Sequence, residues 1–113
     1  MTRLEHAKVD MVSRAEIMDS KSLSFVAAPM VNQSDLPFRL LVRKYGATMA
    51  YTQMLLPERL LTDPDYLELV RRDLTACPDE LGRPVVIQLC GNDPEEIVRA
   101  GKKLQMYSDG IGV

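Results

Sequence analysis

The chain has 113 residues, 27% of them charged, and a net charge of −2, which fits one globular domain and carries no strong basic signal for nucleic acid. No run approaches the ~18 apolar residues of a membrane span, and residues 1–20 mix acids and bases without an apolar centre, so they do not read as a signal peptide. His6 is the only histidine, and Cys77 and Cys90 stand apart without a CxxC, which argues against a metal site and suits reduced thiols of an intracellular protein.

An arm over residues 1–22 precedes the first predicted strand, Leu23–Ala28, which stops at Pro29 because proline cannot donate to a sheet ladder. Ser34, Asp35 and Pro37 then signal a helix from about Asp35 to Tyr45. Phe38, Leu41, Val42 and Tyr45 recur at helical spacing and predict its buried face, leaving Arg39, Arg43 and Lys44 on a solvated side. Gly46 follows where a helix favours a left-handed residue. A second strand is predicted over Ala47–Thr52, leading to Gln53 and Met54, then a helical turn from Pro57 to Leu61. Asp63-Pro64 opens another helix with an apolar stripe of Leu67, Val70 and Leu74.

A polar loop with Cys77, Pro78 and Gly82 leads to a third strand, Pro84–Cys90, whose unbroken Val85-Val86-Ile87 indicates burial on both faces. Asp93 caps the next helix, Pro94 takes its first position, and Ile97, Ala100, Gly101 and Leu104 form its buried side. Tyr107–Ile111 approaches a fourth strand. Repeated strand–helix units with short loops imply a parallel sheet with right-handed crossovers, in either a (βα) barrel or a doubly wound sheet. In both, ligands gather at the carboxyl edge of the strands. Three turns meet there: Pro29-Met30-Val31, Gln53-Met54 and Gln88 to Gly91.

Gln88 is the most telling residue of that edge, an amide within Val-Val-Ile-Gln-Leu that must find partners if buried. It serves either a structural hydrogen bond to neighbouring backbone or a heterocycle with donor and acceptor edges. Pro29 and Met30 act as strand terminator and core filler, or offer a soft apolar bed to a planar ring. Cys90 reads as a small buried hydrophobe, and Gln53 and Met54 suit either a site or a solvated loop. Arg71 and Arg72 read as surface charges, although such a pair can touch phosphate. GxGxxG and GxxxxGK[ST] are both absent, so the residues alone give a ligand edge without a reaction.

Ala28-Pro29-Met30-Val31-Asn32-Gln33-Ser34-Asp35-Leu36-Pro37-Phe38-Arg39 resembles the first strand and loop of the tRNA-dihydrouridine synthases. The likeness continues through Arg43-Lys44-Tyr45-Gly46-Ala47 and Ala50-Tyr51-Thr52-Gln53-Met54, and resumes from Arg83 to Pro94. The eukaryotic one-and-four type is the branch it resembles. The resemblance implies an FMN-dependent TIM barrel that reduces the C5–C6 double bond of a tRNA uridine to dihydrouridine, with NADPH reducing the flavin first. It places Pro29, Met30 and Val31 against the FMN ring system and Gln88 at the isoalloxazine edge. It also implies tRNA as substrate and a cytoplasmic location, with the nucleus as the alternative.

The family pattern runs on after Ile111 with an acidic residue and an Asn-x-Gly-Cys-Pro motif, where this chain has Gly112-Val113. The cysteine of that motif, the general acid, falls beyond Val113, so no catalytic residue is assigned, and neither Cys77 nor Cys90 corresponds to it. A (βα)8 barrel takes about 250 residues. The expectation is therefore an arm over residues 1–22 and, over residues 23–113, the N-terminal three to four βα units of a truncated α/β TIM barrel. Three readings follow: a partial tRNA-dihydrouridine synthase, a non-catalytic fragment or interaction module, and another FMN-dependent barrel oxidoreductase. The Ala-Pro-Met and Gln-Leu-Cys-Gly-Asn-Asp contexts argue against the last.

Overall fold

A computed structural model of the protein describes residues 21–80 and 84–113. Their strands are β1 (Val26–Ala27), β2 (Met49–Leu55), β3 (Val85–Leu89) and β4 (Gly110–Gly112), and their helices are α1 (Leu36–Lys44), α2 (Pro57–Thr62), α3 (Pro64–Thr75) and α4 (Pro94–Leu104). Single 3₁₀ turns lie at Pro78–Glu80 and Gln105–Tyr107. Residues 1–20 of the predicted arm, and Gly82 of the predicted loop, fall outside the described residues.

The strands are all parallel and lie in the order β1-β2-β3-β4. A doubly wound sheet must reverse its strand order at a switch point. Here the order never reverses, so each right-handed crossover steps the same way and the helices collect on one face. This is the winding of a barrel arc, and it decides between the two architectures that the sequence left open.

The core lies under those helices. Leu55, Val85, Ile87 and Leu89 of the sheet pack with Leu60, Val70, Leu74, Ala100 and Leu104 of α2, α3 and α4. Local signals explain why these helices start where they do. Asp63 accepts from the N–H groups of Asp65 (3.1 Å) and Tyr66 (3.2 Å), and Asp93 from that of Glu95 (3.0 Å). The Tyr66 N–H and the Arg59 guanidinium hold the Asp63 carboxyl below its ordinary value. Gly46, at φ +107°, ends α1 in the left-handed region, as its position predicts.

Three expectations need correction. β1 is two residues long because only Val26 and Ala27 have partners on β2. Residues 21–25 turn instead, with Phe25 held through its N–H to Thr48 Oγ1 (3.0 Å). β2 begins at Met49, since the Ala47 N–H is still bound to Val42 O of α1 (3.0 Å), and it runs on through Gln53 and Met54, which are strand rather than loop.

The third concerns the orientation of α1. Of its predicted apolar face, Tyr45 (82%) and Leu41 (52%) are exposed and Phe38 and Val42 only half-buried, and of its predicted solvated side Lys44 is exposed while Arg39 is fully buried and Arg43 nearly so. The physical reason is distant. Arg39 Nε donates to Glu80 Oε1 (2.9 Å), Nη1 to Asp73 Oδ2 (2.7 Å) and Nη2 to Asp73 O (2.8 Å). Arg43 Nη2 donates to Pro84 O (2.6 Å). The guanidinium of Arg39, with its fork filled, tolerates a burial that an unpaired one does not.

Candidate functional site

The carboxyl ends of the strands share one edge, beside the sheet face that lies away from the described helices. On β3 the alternation separates Val85, Ile87 and Leu89, which join the core, from Gln88, which is half-buried on the other face. Gln88 pairs in register with Met54 of β2 and Gly112 of β4. A Cβ at Gly112 would lie 2.9 Å from Gln88 Oε1 and 3.2 Å from Tyr51 Cε1. The amide of Gln88 thus lies across β4 in space left by the missing side chain.

The β2 strand carries an irregularity between Tyr51 and Met54 where its register against β3 shifts. Thr52, buried at this point, accepts the Gln88 N–H on its Oγ1 (3.0 Å) and donates to Gln53 O (2.9 Å). Bulges of this kind re-aim side chains at sheet rims and beside sites. Here the shift puts Met54 beside Gln88 and leaves Met54 exposed at that edge.

Beyond β1, residues Ala28 to Ser34 form a turn in which Asn32 takes φ +57°, a left-handed value that asparagine tolerates. Pro29 and Val31 are exposed and Met30 is half-buried. Ser34, almost wholly buried, accepts the Met30 N–H on Oγ (2.7 Å) and donates to Ala28 O (3.4 Å). Its carbonyl accepts from the Gln53 N–H (3.2 Å) and from Arg39 Nη1 (3.1 Å). Asp35 occupies the N-cap of α1 without a side-chain cap bond, and the half-buried Leu36 N–H is met by Asp73 Oδ1 of α3 instead (2.8 Å).

The structure therefore brings Pro29, Met30 and Val31 together on one turn and places Gln88 two strands away. At about 4.8 Å per strand, the two groups flank an edge roughly 10 Å across, floored by β2. Cys90 departs from its expected burial. Its N–H extends the ladder to Leu55 O (2.9 Å), but its thiol is exposed at the edge. Sequence reasoning missed Thr52, Gly112 and Arg39 as parts of this edge. A polar β-branched residue beside Gln53 was the only local signal for Thr52. Gly112 and Arg39 act through partners far off in the chain.

Residues 26–113 match the model of the family described as Dihydrouridine synthase (Dus). The chain belongs to that family. The dihydrouridine synthase match begins with the first residue of β1 and takes in the whole sheet. A tRNA-dihydrouridine(16/17) synthase [NAD(P)(+)]-like protein of Rattus norvegicus is 44% identical over 87 residues, covering 76% of this chain and 19% of the relative. The tRNA-dihydrouridine(16/17) synthase [NAD(P)(+)] of Saccharomyces cerevisiae is 41% identical over 86 residues, 76% of this chain and 20% of the relative. A tRNA-dihydrouridine(20a/20b) synthase [NAD(P)+] of Schizosaccharomyces pombe is 34% identical over 105 residues, 92% of this chain and 30% of the relative. The chain thus spans 19% to 30% of the length of these curated relatives. The dihydrouridine synthase fold is a TIM barrel, and the singly wound four-stranded sheet is its N-terminal arc.

Proposed function

We propose that this chain supplies the first wall of the FMN site of a tRNA-dihydrouridine synthase, with Pro29, Met30 and Val31 as an apolar bed and Gln88 as the amide that orients the ring. The observation that carries this reading is the placement of Gln88. It is the one polar side chain of β3, it stands on the face away from the described helices at the carboxyl edge, and its Oε1 lies over the bare backbone of Gly112. Such an edge, largely apolar with a few aimed polar groups, is what a flat heterocycle needs. Met54 on β2 and half-buried Met30 on the turn after β1 add polarizable surface.

When bound, the flavin supplies the hydride for reduction of a tRNA uridine, after receiving one from NADPH. The residues of this chain bind and orient. Gln88 offers one donor and one acceptor to the ring edge, and the Met30 turn excludes water from a ring face. A cytoplasmic or nuclear location belongs with a tRNA substrate.

Titration of the protein with FMN, followed by flavin fluorescence, tests the reading. Wild-type protein should quench the flavin, and Gln88→Ala should weaken binding about tenfold, which corresponds to the ~1.4 kcal/mol within the range of a buried polar group losing its partner. Equal affinity in the two proteins, or no binding to either, would overturn it.

A further inference from the structure

We infer that Ser34, locked in place by Arg39, is a positioning residue for the Pro29–Val31 turn and so sets how that turn meets the ring; this rests on the flavin reading above. The turn has few ways to hold its shape. It belongs to no helix or strand, Val31 is exposed, and Asn32 sits at φ +57°. Its backbone is organised from one point. Ser34 Oγ takes the Met30 N–H at 2.7 Å and reaches back to Ala28 O at 3.4 Å, while the Ser34 and Gln33 N–H groups both bind Met30 O, at 3.2 and 3.1 Å. One hydroxyl thereby closes both ends of the segment that carries Pro29 and Met30.

Ser34 is itself held on its other side. Its carbonyl receives the Gln53 N–H from the irregular part of β2 and Nη1 of Arg39. Arg39 is fully buried, and its remaining donors reach Glu80, which is 1% exposed, and Asp73 of α3. Buried ionic clusters of this kind contribute little net stability against an apolar replacement but fix a geometry, since each donor demands a partner in one direction. Here the fixed quantity is the distance from the β1 turn to β2, and β2 in turn holds the Gln88 N–H through Thr52. The two walls of the edge are therefore referenced to the same strand, one through Ser34 and one through Thr52.

Two measurements on Ser34→Ala test this, with Ser34→Thr, which keeps the hydroxyl, as the rescuing variant. In flavin-free protein, amide hydrogen exchange across 28–32 should speed at least tenfold in Ser34→Ala while α3 and α4 keep wild-type protection and Tm moves little. On FMN titration, Ser34→Ala should shift the visible absorption of the bound flavin and raise Kd several-fold, and Ser34→Thr should restore both. Unchanged exchange in the turn overturns the inference whatever the flavin does. Faster exchange with unaltered flavin spectrum and Kd also overturns it, because Ser34 would then be a structural clamp alone. A wild-type protein that binds no FMN overturns the flavin reading and this role with it, and the wild-type titration identifies that failure separately from a failure of Ser34.

Discussion

On the β3 side of the sheet, Val85, Ile87 and Leu89 lie beneath Leu60, Val70, Leu74, Ala100 and Leu104, and the charges of α3 and α4, such as Arg72, Lys102 and Lys103, face water. On the β1 side the assignment reverses. Phe25, Val26, Leu41 and Tyr45 are exposed around a groove of about 690 Å³, while Arg39 and Arg43 are inside. The difference separates two kinds of packing. Apolar burial is non-directional, grows with area and adds roughly 1.5–3 kcal/mol per large side chain. A buried guanidinium adds little net energy but aligns whatever it touches. The β3 side holds the fold, and the β1 side sets the shape of the turn where the candidate cofactor wall stands.

The most severe way to break this contrast is Arg39→Ala. It leaves Glu80, itself 1% exposed, and the buried part of Asp73 without their cation, so a loss of about 3–5 kcal/mol is expected in urea unfolding. A loss below about 1 kcal/mol would show that the cluster is not directing the β1 side at all. Next in size is a matched pair. Leu74→Ala on the β3 side removes a fully buried side chain and should cost about 2–5 kcal/mol, whereas Leu41→Ala, on the exposed face of α1, should stay within about 0.5 kcal/mol. Comparable costs at the two positions would mean that the α1 face is covered in solution, and the comparison would then need redrawing.

The same contrast explains what could be read in the sequence. The starts of α3 and α4 were legible because Asp63-Pro64 and Asp93-Pro94 act within one turn, and the structure places the caps where those residues stand. The parallel sheet followed from strand–helix alternation, and Gln88 stood out because an amide is conspicuous between Ile87 and Leu89. The facing of α1 was not legible. Hydrophobic periodicity reports which side of a helix is apolar, not whether an apolar neighbour exists, and the partners that pull Arg39 inward lie 34 and 41 residues along the chain. β1 was overestimated for a related reason: Leu23 to Ala28 has strand-like composition, but pairing extends only as far as β2 supplies partners. The support of the candidate wall by Ser34, and of Gln88 by Thr52, was hidden likewise, because each hydroxyl reads locally as a helix signal or a strand residue.

The smallest effect concerns charge at the surface of the β3 side, where Glu68 on α3 receives Arg71 Nη2 at 2.6 Å and Arg72 Nε at 3.1 Å. The hydrogen bond from Arg71, followed by that from Arg72, pulls the Glu68 carboxyl from 4.5 down to about 2. A carboxyl lowered in the folded state favours folding above its unfolded value and loses that advantage as pH falls through the folded one. Wild type should therefore exceed Glu68→Gln in Tm at neutral pH by a small margin, and the margin should close between about pH 4.5 and pH 2. Because the pairs lie in water, 1 M salt should shrink the margin at neutral pH as well. The buried Arg39 cluster is far less open to screening, so Arg39→Ala should cost nearly the same in low and high salt. If salt erased both effects alike, the Arg39 cluster would be behaving as a surface pair, and the contrast between an aligning interior charge on the β1 side and solvated charges on the β3 side would fail.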